Sequence, residues 1–332
     1  MRTHDPVLVA PDAFKGTLSA TEVANAIARG LRAGGWPAVD LCPVADGGEG
    51  TAEALRLGLG GETQLARVHD PLGREIEASF VLLDGGRSGL AVVEAAAASG
   101  IALLSESERD PFAASTRGTG ELIVAAARAG ASEVLVAAGG SATSDGGAGA
   151  LAAIRDAGGL EPGTSVVVLC DVRTPWERAA EVFGPQKGAD PATVRRLSRR
   201  LDRLAARMAR DPRGLPLTGA AGGLSGGLWA ELGARLEPGA AFVLGALDFD
   251  ARMRAAHAVV LGEGRLDEST MEGKLVWEAA TRCRQAGVPC FAVVGERRLD
   301  AFAARMLDLQ MVLEGSSPEQ LELAAARLVS AF

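Results

Sequence analysis

Only three of the 34 basic residues in this 332-residue chain are lysine, and each stands beside a glycine. They are Lys15 in Phe-Lys-Gly, Lys187 in Gln-Lys-Gly and Lys274 in Gly-Lys-Leu; the other 31 cations are arginine. A chain that uses arginine for general surface charge has kept a compact ammonium at three tight turns. A planar fork does not replace an ammonium at a tight anion site. Four loops share a second design, in which a strand-like run ends, glycines and acids follow, and a helix begins. They are Asp46–Thr51, Ser115–Gly120, Gly139–Gly147 and Gly262–Asp267. Backbone N–H groups at a helix start, with glycine permitting close approach, make an anion site. Within the third loop Gly139, Gly140, Ser141, Thr143, Asp145, Gly146 and Gly147 are the candidate phosphate contacts. Together the loops and lysines point to a polyanion such as a nucleoside triphosphate. No GxxxxGKS/T is present and no GxGxxG follows a strand, which disfavours a P-loop NTPase and a conventional dinucleotide binder.

Phosphoryl transfer needs cations on the phosphates, carboxylates for Mg²⁺, and a group to position or deprotonate the acceptor hydroxyl. Asp12, Asp46, Asp145, Asp171, Glu263 and Asp267 all fall at ends of expected strands, where open α/β sheets build their sites. Histidine is a poor base here. His4 is near the first residue, His69 adjoins Asp70-Pro71, and His257 opens a strand. Tyrosine is absent. The base is therefore a carboxylate or a lysine. A rival motif, Gly223-Leu-Ser-Gly-Gly227, has the G-x-S-x-G form, with Asp248 or Asp250 and His257 downstream. Its elbow needs a strand immediately before it, and Leu215–Gly222, with Pro216 and the glycines Gly219 and Gly222, is a poor strand. A serine hydrolase is disfavoured on that ground.

These residues need a scaffold, and the composition supplies one. Hydrophobic residues make up 48% of the chain, with 43 Gly and 15 Pro. That is enough for one large or two medium domains. The net charge of −8, with nine Phe, four Trp and no Tyr, argues against nucleic acid as ligand. No apolar run approaches 18 residues, so no membrane-spanning helix is expected. The opening Met1–Pro6, with Arg2, His4 and Asp5, lacks the apolar segment of a signal peptide. Cys42, Cys170, Cys283 and Cys290 form no CxxC pair and read as reduced thiols of a cytoplasmic protein. Small-molecule substrates are the expected partners, and the sequence leaves a homo-oligomer open.

Along the chain, Val7–Ala10 reads as a strand. Ser19 and Glu22 make a capping box for a helix over Ala20–Ala33. Asp40–Val44 is a second strand, and a helix starts near Thr51. From Val68 the pattern changes: Glu75–Leu83 and Leu90–Glu94 flank the turn Asp84–Gly89 as an antiparallel pair. Helix Glu121–Arg128, strand Glu133–Ala138, helix Ala148–Ala157, strand Ser165–Cys170 and a glycine-rich loop at Gly219–Gly227 follow. The βα alternation resumes with strand Ala258–Leu261, helix Lys274–Ala286, strand Cys290–Val294, helix Leu299–Met306, the short run Gln310–Leu313, and a helix from Pro318. Between Pro191 and Arg210 the residues Val194, Leu197, Leu201, Leu204 and Met208 form one apolar stripe edged by arginines. This reads as a surface helix, with a membrane or an acidic partner as the alternative. The fold expected is a flavodoxin-like doubly wound α/β domain with a second α/β domain inserted. Residues 1–66 and 241–332 form the first and 67–240 the second, with a cleft at the junction for ligands. Val7–Ala10, Ala258–Leu261 and Cys290–Val294 should share one sheet, and Glu133–Ala138 should lie in another domain.

Seven stretches, in order along the chain, resemble the bacterial glycerate kinases. They are Ala10-Pro-Asp-Ala-Phe-Lys-Gly-Thr-Leu-Ser19, Pro43-Val-Ala-Asp-Gly-Gly-Glu-Gly-Thr51, Thr116-Arg-Gly-Thr-Gly-Glu-Leu-Ile123, Gly139–Gly149, Phe183-Gly-Pro-Gln-Lys-Gly188, Gly219–Gly223 and Gly262–Lys274. The resemblance implies ATP-dependent phosphorylation of D-glycerate and a flavodoxin-like domain carrying a discontinuous second one. Two departures stand out. Ser144 replaces the family's usual Asn, and Asp156–Thr164 and the segment after Gly295 are shorter than usual. Chemistry then assigns roles. Lys15 and Lys187 contact phosphate or the glycerate carboxylate, and Gly139–Gly147 holds ATP phosphates. Asp46, Asp171 and Glu263 are Mg²⁺ ligands or base, while Arg117 and Arg265 grip a carboxylate bidentately. Asp12 and Lys274 complete the binding set. The expected product is 2-phosphoglycerate, with 3-phosphoglycerate as the alternative; a nucleotide sensor of this fold would make neither.

Overall fold

The computed structural model describes residues 5–86, 88–268, 270 and 274–332. Arg2 and His4 lie outside the described residues, as do 271–273 of the Gly262–Lys274 motif. In chain order the elements are β1 (Val7–Pro11), α1 (Ala20–Ala33), β2 (Val39–Leu41), α2 (Thr51–Leu59), β3 (Gly61–His69), β4 (Glu75–Leu83), β5 (Leu90–Glu94), α3 (Ala95–Ser99), α4 (Arg117–Arg128), β6 (Glu133–Ala137), α5 (Ala148–Asp156) and β7 (Ser165–Cys170). Then come α6 (Ala179–Phe183), α7 (Pro191–Ala205), α8 (Ala220–Leu232), β8 (Arg235–Pro238), α9 (Gly239–Ala246), α10 (Phe249–Arg254), β9 (Ala258–Leu266), α11 (Leu275–Ala286), β10 (Cys290–Arg297), α12 (Ala301–Met306), β11 (Val312–Glu314) and α13 (Pro318–Leu328). They divide into two compact units, Met1–Asp46 with Ala240–Phe332, and Gly47–Gly239.

The first unit is a five-stranded sheet in the order β2-β1-β9-β10-β11, every pair parallel. Numbered within the unit the order is 2-1-3-4-5, the flavodoxin-like arrangement, whose switch point lies between the first and third strands. Here those strands are β1 and β9. Strand β1 is buried at all five positions, as a central parallel strand covered on both faces must be. Helix α1 begins at Ser19, whose side chain accepts from the Glu22 N–H while Glu22 reaches back to the Ser19 N–H. Its Val23, Ile27 and Leu31 pack with Val7, Val9, Val260, Phe291 and Leu321 of α13 into one core.

The second unit is a six-stranded sheet in sequence order, β3 to β8, antiparallel through β5 and parallel from β5 to β8. The strands expected to share a sheet in the first unit do so, and Glu133–Ala137 lies in the second. The division at 46/47 stands earlier than the 66/67 expected, because α2 packs on β4 and β5 of the second sheet. Edge strand β3 was not anticipated; most of its side chains are exposed or half-buried, so it lacks an apolar signature. Gly219–Gly227, expected as a loop, is largely helix α8, with left-handed backbone at Ala221, Gly222 and Gly223 near its start. A Cβ on Gly222 would stand 2.1 Å from the Thr143 carbonyl oxygen. The glycine is what lets α8 seat under the Gly139–Gly147 loop. The stripe of α7 is buried on Trp176, Ala179 and Ala180, which leaves no apolar face for a membrane. Among the described residues no helix is long and apolar enough to cross one.

Candidate active site

At the switch point of the first unit, Asp12 follows β1 and Glu263 lies on β9. The Asp12 N–H donates to the Gly262 carbonyl at 2.8 Å, which fixes the Asp12 backbone against β9. The Asp12 Oδ1 accepts from the Ala13 N–H at 2.7 Å. Asp46, the last residue of this part of the unit, is 4% exposed and pairs through Oδ2 with Lys15 Nζ at 3.2 Å. Glu263 Oε1 accepts from Thr270 Oγ1 at 2.9 Å. Burial, and then the charge of Asp46, push the Asp12 carboxyl well above the usual range, against the pull of Lys15. Burial likewise pushes Glu263 up to about 7, opposed by the Thr270 hydrogen bond and Lys274 and reinforced by Asp267 and Asp46. Asp12, Asp46, Glu263, Lys15 and Lys274 thus form one electrostatically linked group. Among the described residues, no three His, Cys, Asp or Glu side chains form a metal-holding cage. The Arg265 side chain is 54% exposed and pairs with Glu296 at 3.1 Å.

In the second unit, the loop after β6 carries Gly139, Gly140, Ser141 and Thr143 and runs to Gly147 at the N-cap of α5. Lys187 enters it from a short 3₁₀ turn, Pro185–Lys187. The lysine is 4% exposed, and its Nζ donates to Ser141 Oγ at 2.9 Å and to the Thr143 carbonyl at 2.6 Å. An ammonium has three N–H donors, and among the described residues the third finds no acceptor. Two further polar atoms of this loop, Thr143 Oγ1 and Ser144 Oγ, are buried with no hydrogen-bond partner. Burial lowers the Lys187 pKa to about 8, a drop resisted by the charges of Asp171 and Asp145. Asp171 follows β7 and lies against the same loop. A Cβ on Gly139 would come within 3.2 Å of Asp171 Oδ2 and 2.5 Å of the Gly48 Cα, so only glycine allows that approach.

Two sequence candidates have other duties. The Asp145 carboxylate accepts from the Thr116 N–H (2.9 Å), Thr116 Oγ1 (2.9 Å), the Gly147 N–H (3.0 Å) and the Gly149 N–H (3.0 Å). Four donors fill its lone pairs, so it joins the starts of α4 and α5 and keeps no acceptor for a ligand. Arg117, expected to grip a carboxylate substrate, instead pairs with Glu121 and Asp156, each at 3.0 Å. One residue was missed. Glu94, at the end of β5, accepts from the Ala52 N–H at 2.8 Å in the first turn of α2, and burial raises its pKa. Its sequence signal, an acid closing the apolar run Leu90–Val93, is the same as that of Asp171. Ser225 of the rival motif is buried on α8, and its Oγ donates to the Leu217 carbonyl at 2.6 Å. No strand precedes it, so there is no nucleophile elbow.

The first unit is thus a doubly wound α/β unit with acids at its switch point, and the second an α/β unit with a lysine buried in a glycine loop. The model of the glycerate kinase family matches residues 7–157 and 155–327, and the chain belongs to that family and is a kinase. It is 37% identical over 325 residues to a glycerate kinase of Halalkalibacterium halodurans, covering 87% of this chain and 85% of that one. It is 36% identical over 325 residues to the glycerate 2-kinase of Escherichia coli K12, covering 87% and 84%. Among solved structures, a protein described as glycerate kinase 2 of Salmonella typhimurium LT2 superposes with a TM-score of 0.82 at 33% identity. That match covers 99% of this chain and 98% of the other.

Proposed function

We propose that the protein transfers the γ-phosphoryl group of ATP to the 2-hydroxyl of D-glycerate. The observation that carries this reading is the Lys187 loop: a buried cation with an open donor, held on a loop whose Thr143 and Ser144 hydroxyls are buried and unpartnered. Such groups are costly unless a ligand completes them. A phosphate or carboxylate oxygen supplies the missing acceptor for Lys187 and for the hydroxyls of Thr143 and Ser144. Membership of a kinase family supports ATP as donor, and the name of the Escherichia coli relative supports the 2-position.

Asp12 and Asp46 suit a magnesium ion, which takes one or two carboxylates plus phosphate oxygens rather than an all-protein cage. Asp171 is the corresponding candidate in the second unit. A magnesium ion bound there would offset negative charge on the transferred phosphoryl oxygens. Lys15, paired with Asp46, supplies positive charge for phosphate oxygens. Glu263, with its pKa raised to about 7, is suited to accept the proton of the acceptor hydroxyl near neutral pH. Phosphoryl transfer then rests on positioning and charge.

The test is incubation with ATP, Mg²⁺ and D-glycerate, with the phosphorylated products separated chromatographically. ADP and 2-phosphoglycerate should appear in equal amounts. Exclusive 3-phosphoglycerate would overturn the regiochemistry, and no phosphorylated acid would overturn the kinase reading.

A further inference from the structure

Between Pro191 and Arg210 seven arginines accompany a single acid, Asp202, in a chain whose net charge is −8. Helix α7 buries Leu197 and Leu201 in the core beneath it. On its outer side Arg196, Arg199, Asp202 and Arg203 line, with Phe112, a cavity of about 520 Å³. The guanidinium of Arg196 stands 4.2 Å and that of Arg200 5.3 Å from the centre of the Phe112 ring. Arg200 Nη1 also donates to the Phe112 carbonyl at 2.8 Å. Stacking of this kind orders a side chain that would otherwise lose rotamer freedom on binding. Arg199 and Arg203 each tie Nε to a carbonyl one turn back, on Arg195 and Arg199. Among the described residues no carboxylate pairs with Arg196, Arg199 or Arg203. Their spacing of three and four sets them along one face over about 10 Å of helix. Three cations against Asp202 leave the groove with a surplus of two positive charges.

We propose that this groove binds a small polyanion carrying a phosphate and a second acidic group, the class that includes phosphorylated hydroxy acids. Arginine forks take phosphate and carboxylate oxygens two at a time. An array of three spans two such groups, while a single monoanion would leave part of it unmatched. The groove is open to solvent and has room for a small ligand. It shares no residue with the Lys187 pocket and does not rest on the proposed reaction.

The test is calorimetric titration with 3-phosphoglycerate at low ionic strength, without nucleotide. It compares the wild-type chain, the double variant Arg199→Ser/Arg203→Ser, and Arg207→Ser, which removes an arginine from the turn just after the helix and outside the groove. The double variant should lose at least about tenfold in affinity for one saturable event, by the usual size of a lost charged contact. Arg207→Ser should keep that event. In the wild-type chain the ligand should also shield Arg199 and Arg203 from phenylglyoxal. Unchanged binding in the double variant, equal weakening in Arg207→Ser, or unshielded arginines would each overturn the site. Turnover of glycerate is read separately, so its failure would count against the proposed reaction and not against the groove.

Discussion

Replacing Lys187 by methionine should stabilise the protein at neutral pH while removing most of its activity. The cation is 4% exposed, and its pKa falls from the ordinary lysine value of 10.5 to about 8, first because of burial. Between those two values the unfolded chain binds more protons than the folded one, so stability rises with pH across this window. At about 1.4 kcal/mol per pKa unit, the charged lysine costs the fold about 3 kcal/mol at pH 7 and less than about 1 kcal/mol by pH 10. Methionine removes that cost but strands the Thr143 carbonyl and Ser141 Oγ, a loss of about 2 kcal/mol. The variant should therefore be more stable than wild type by about 1 kcal/mol at pH 7, and less stable by a similar amount at pH 10. Denaturant unfolding at the two pH values measures both differences. Turnover should drop on the order of a hundredfold, the loss of one charged contact worth about 3 kcal/mol in the transition state. With Lys187→Arg, which cannot lose its proton, the fall of kcat/KM above about pH 8 should disappear, in whatever activity remains. A methionine variant that is less stable at pH 7 and retains wild-type turnover would refute the reasoning.

Asp145→Ala should cost at least about 3 kcal/mol of stability, because three buried donors and a partly buried one lose their acceptor at once; unfolding midpoints check it, and a stable, inactive variant would return Asp145 to the ligand contacts. Ser225→Ala should keep at least about a tenth of wild-type turnover, since its hydroxyl bonds groups inside the fold, the Leu217 and Ala220 carbonyls and the Cys170 thiol, and is worth about 1 kcal/mol. A dead Ser225→Ala protein of normal stability would contradict the placement of that serine.

The readable parts of the fold were those where one physical requirement dominated. Strand β7 was expected over Ser165–Cys170 and is found there, because a parallel strand buried on both faces is a plain apolar run. The helix from Ala20 was visible through Ser19 and Glu22, whose capping bonds are local in sequence. Strand β3 had no such run, since as an edge strand it exposes Glu62, Thr63 and Leu65. Helix α8 contradicts its composition. Seven of its first eight residues are Gly, Ala or Ser and leave no apolar pattern, and contact decides its state: a Cβ on Gly226 or Gly227 would strike Trp176 or Gly146. Glycine's cost in a helix is outweighed there by the close approach it permits.

The site was legible as a set of residue types and not as a set of roles. Asp145 and Asp171 present the same signal, an acid soon after a buried strand, yet one is saturated by three backbone N–H groups and the Thr116 hydroxyl, and the other stands beside the Gly139 loop. The sequence does not separate them, because two of the four Asp145 donors, the N–H and Oγ1 of Thr116, come from another part of the chain. The lysines divide in the same way. Lys15 has a side chain 56% exposed and paired with Asp46, where arginine's size is no obstacle, and Lys274 is the half-buried N-cap residue of α11. Lys187 is enclosed, and there the difference between the two cations is thermodynamic as well as steric. A guanidinium holds its proton in any protein environment and would bear the full cost of burial whenever the pocket is empty. An ammonium whose pKa has fallen to about 8 can shed part of that cost and recover its charge when an anion arrives, since a nearby negative charge raises the pKa again. In a chain that writes arginine almost everywhere else, that property accounts for a lysine at position 187.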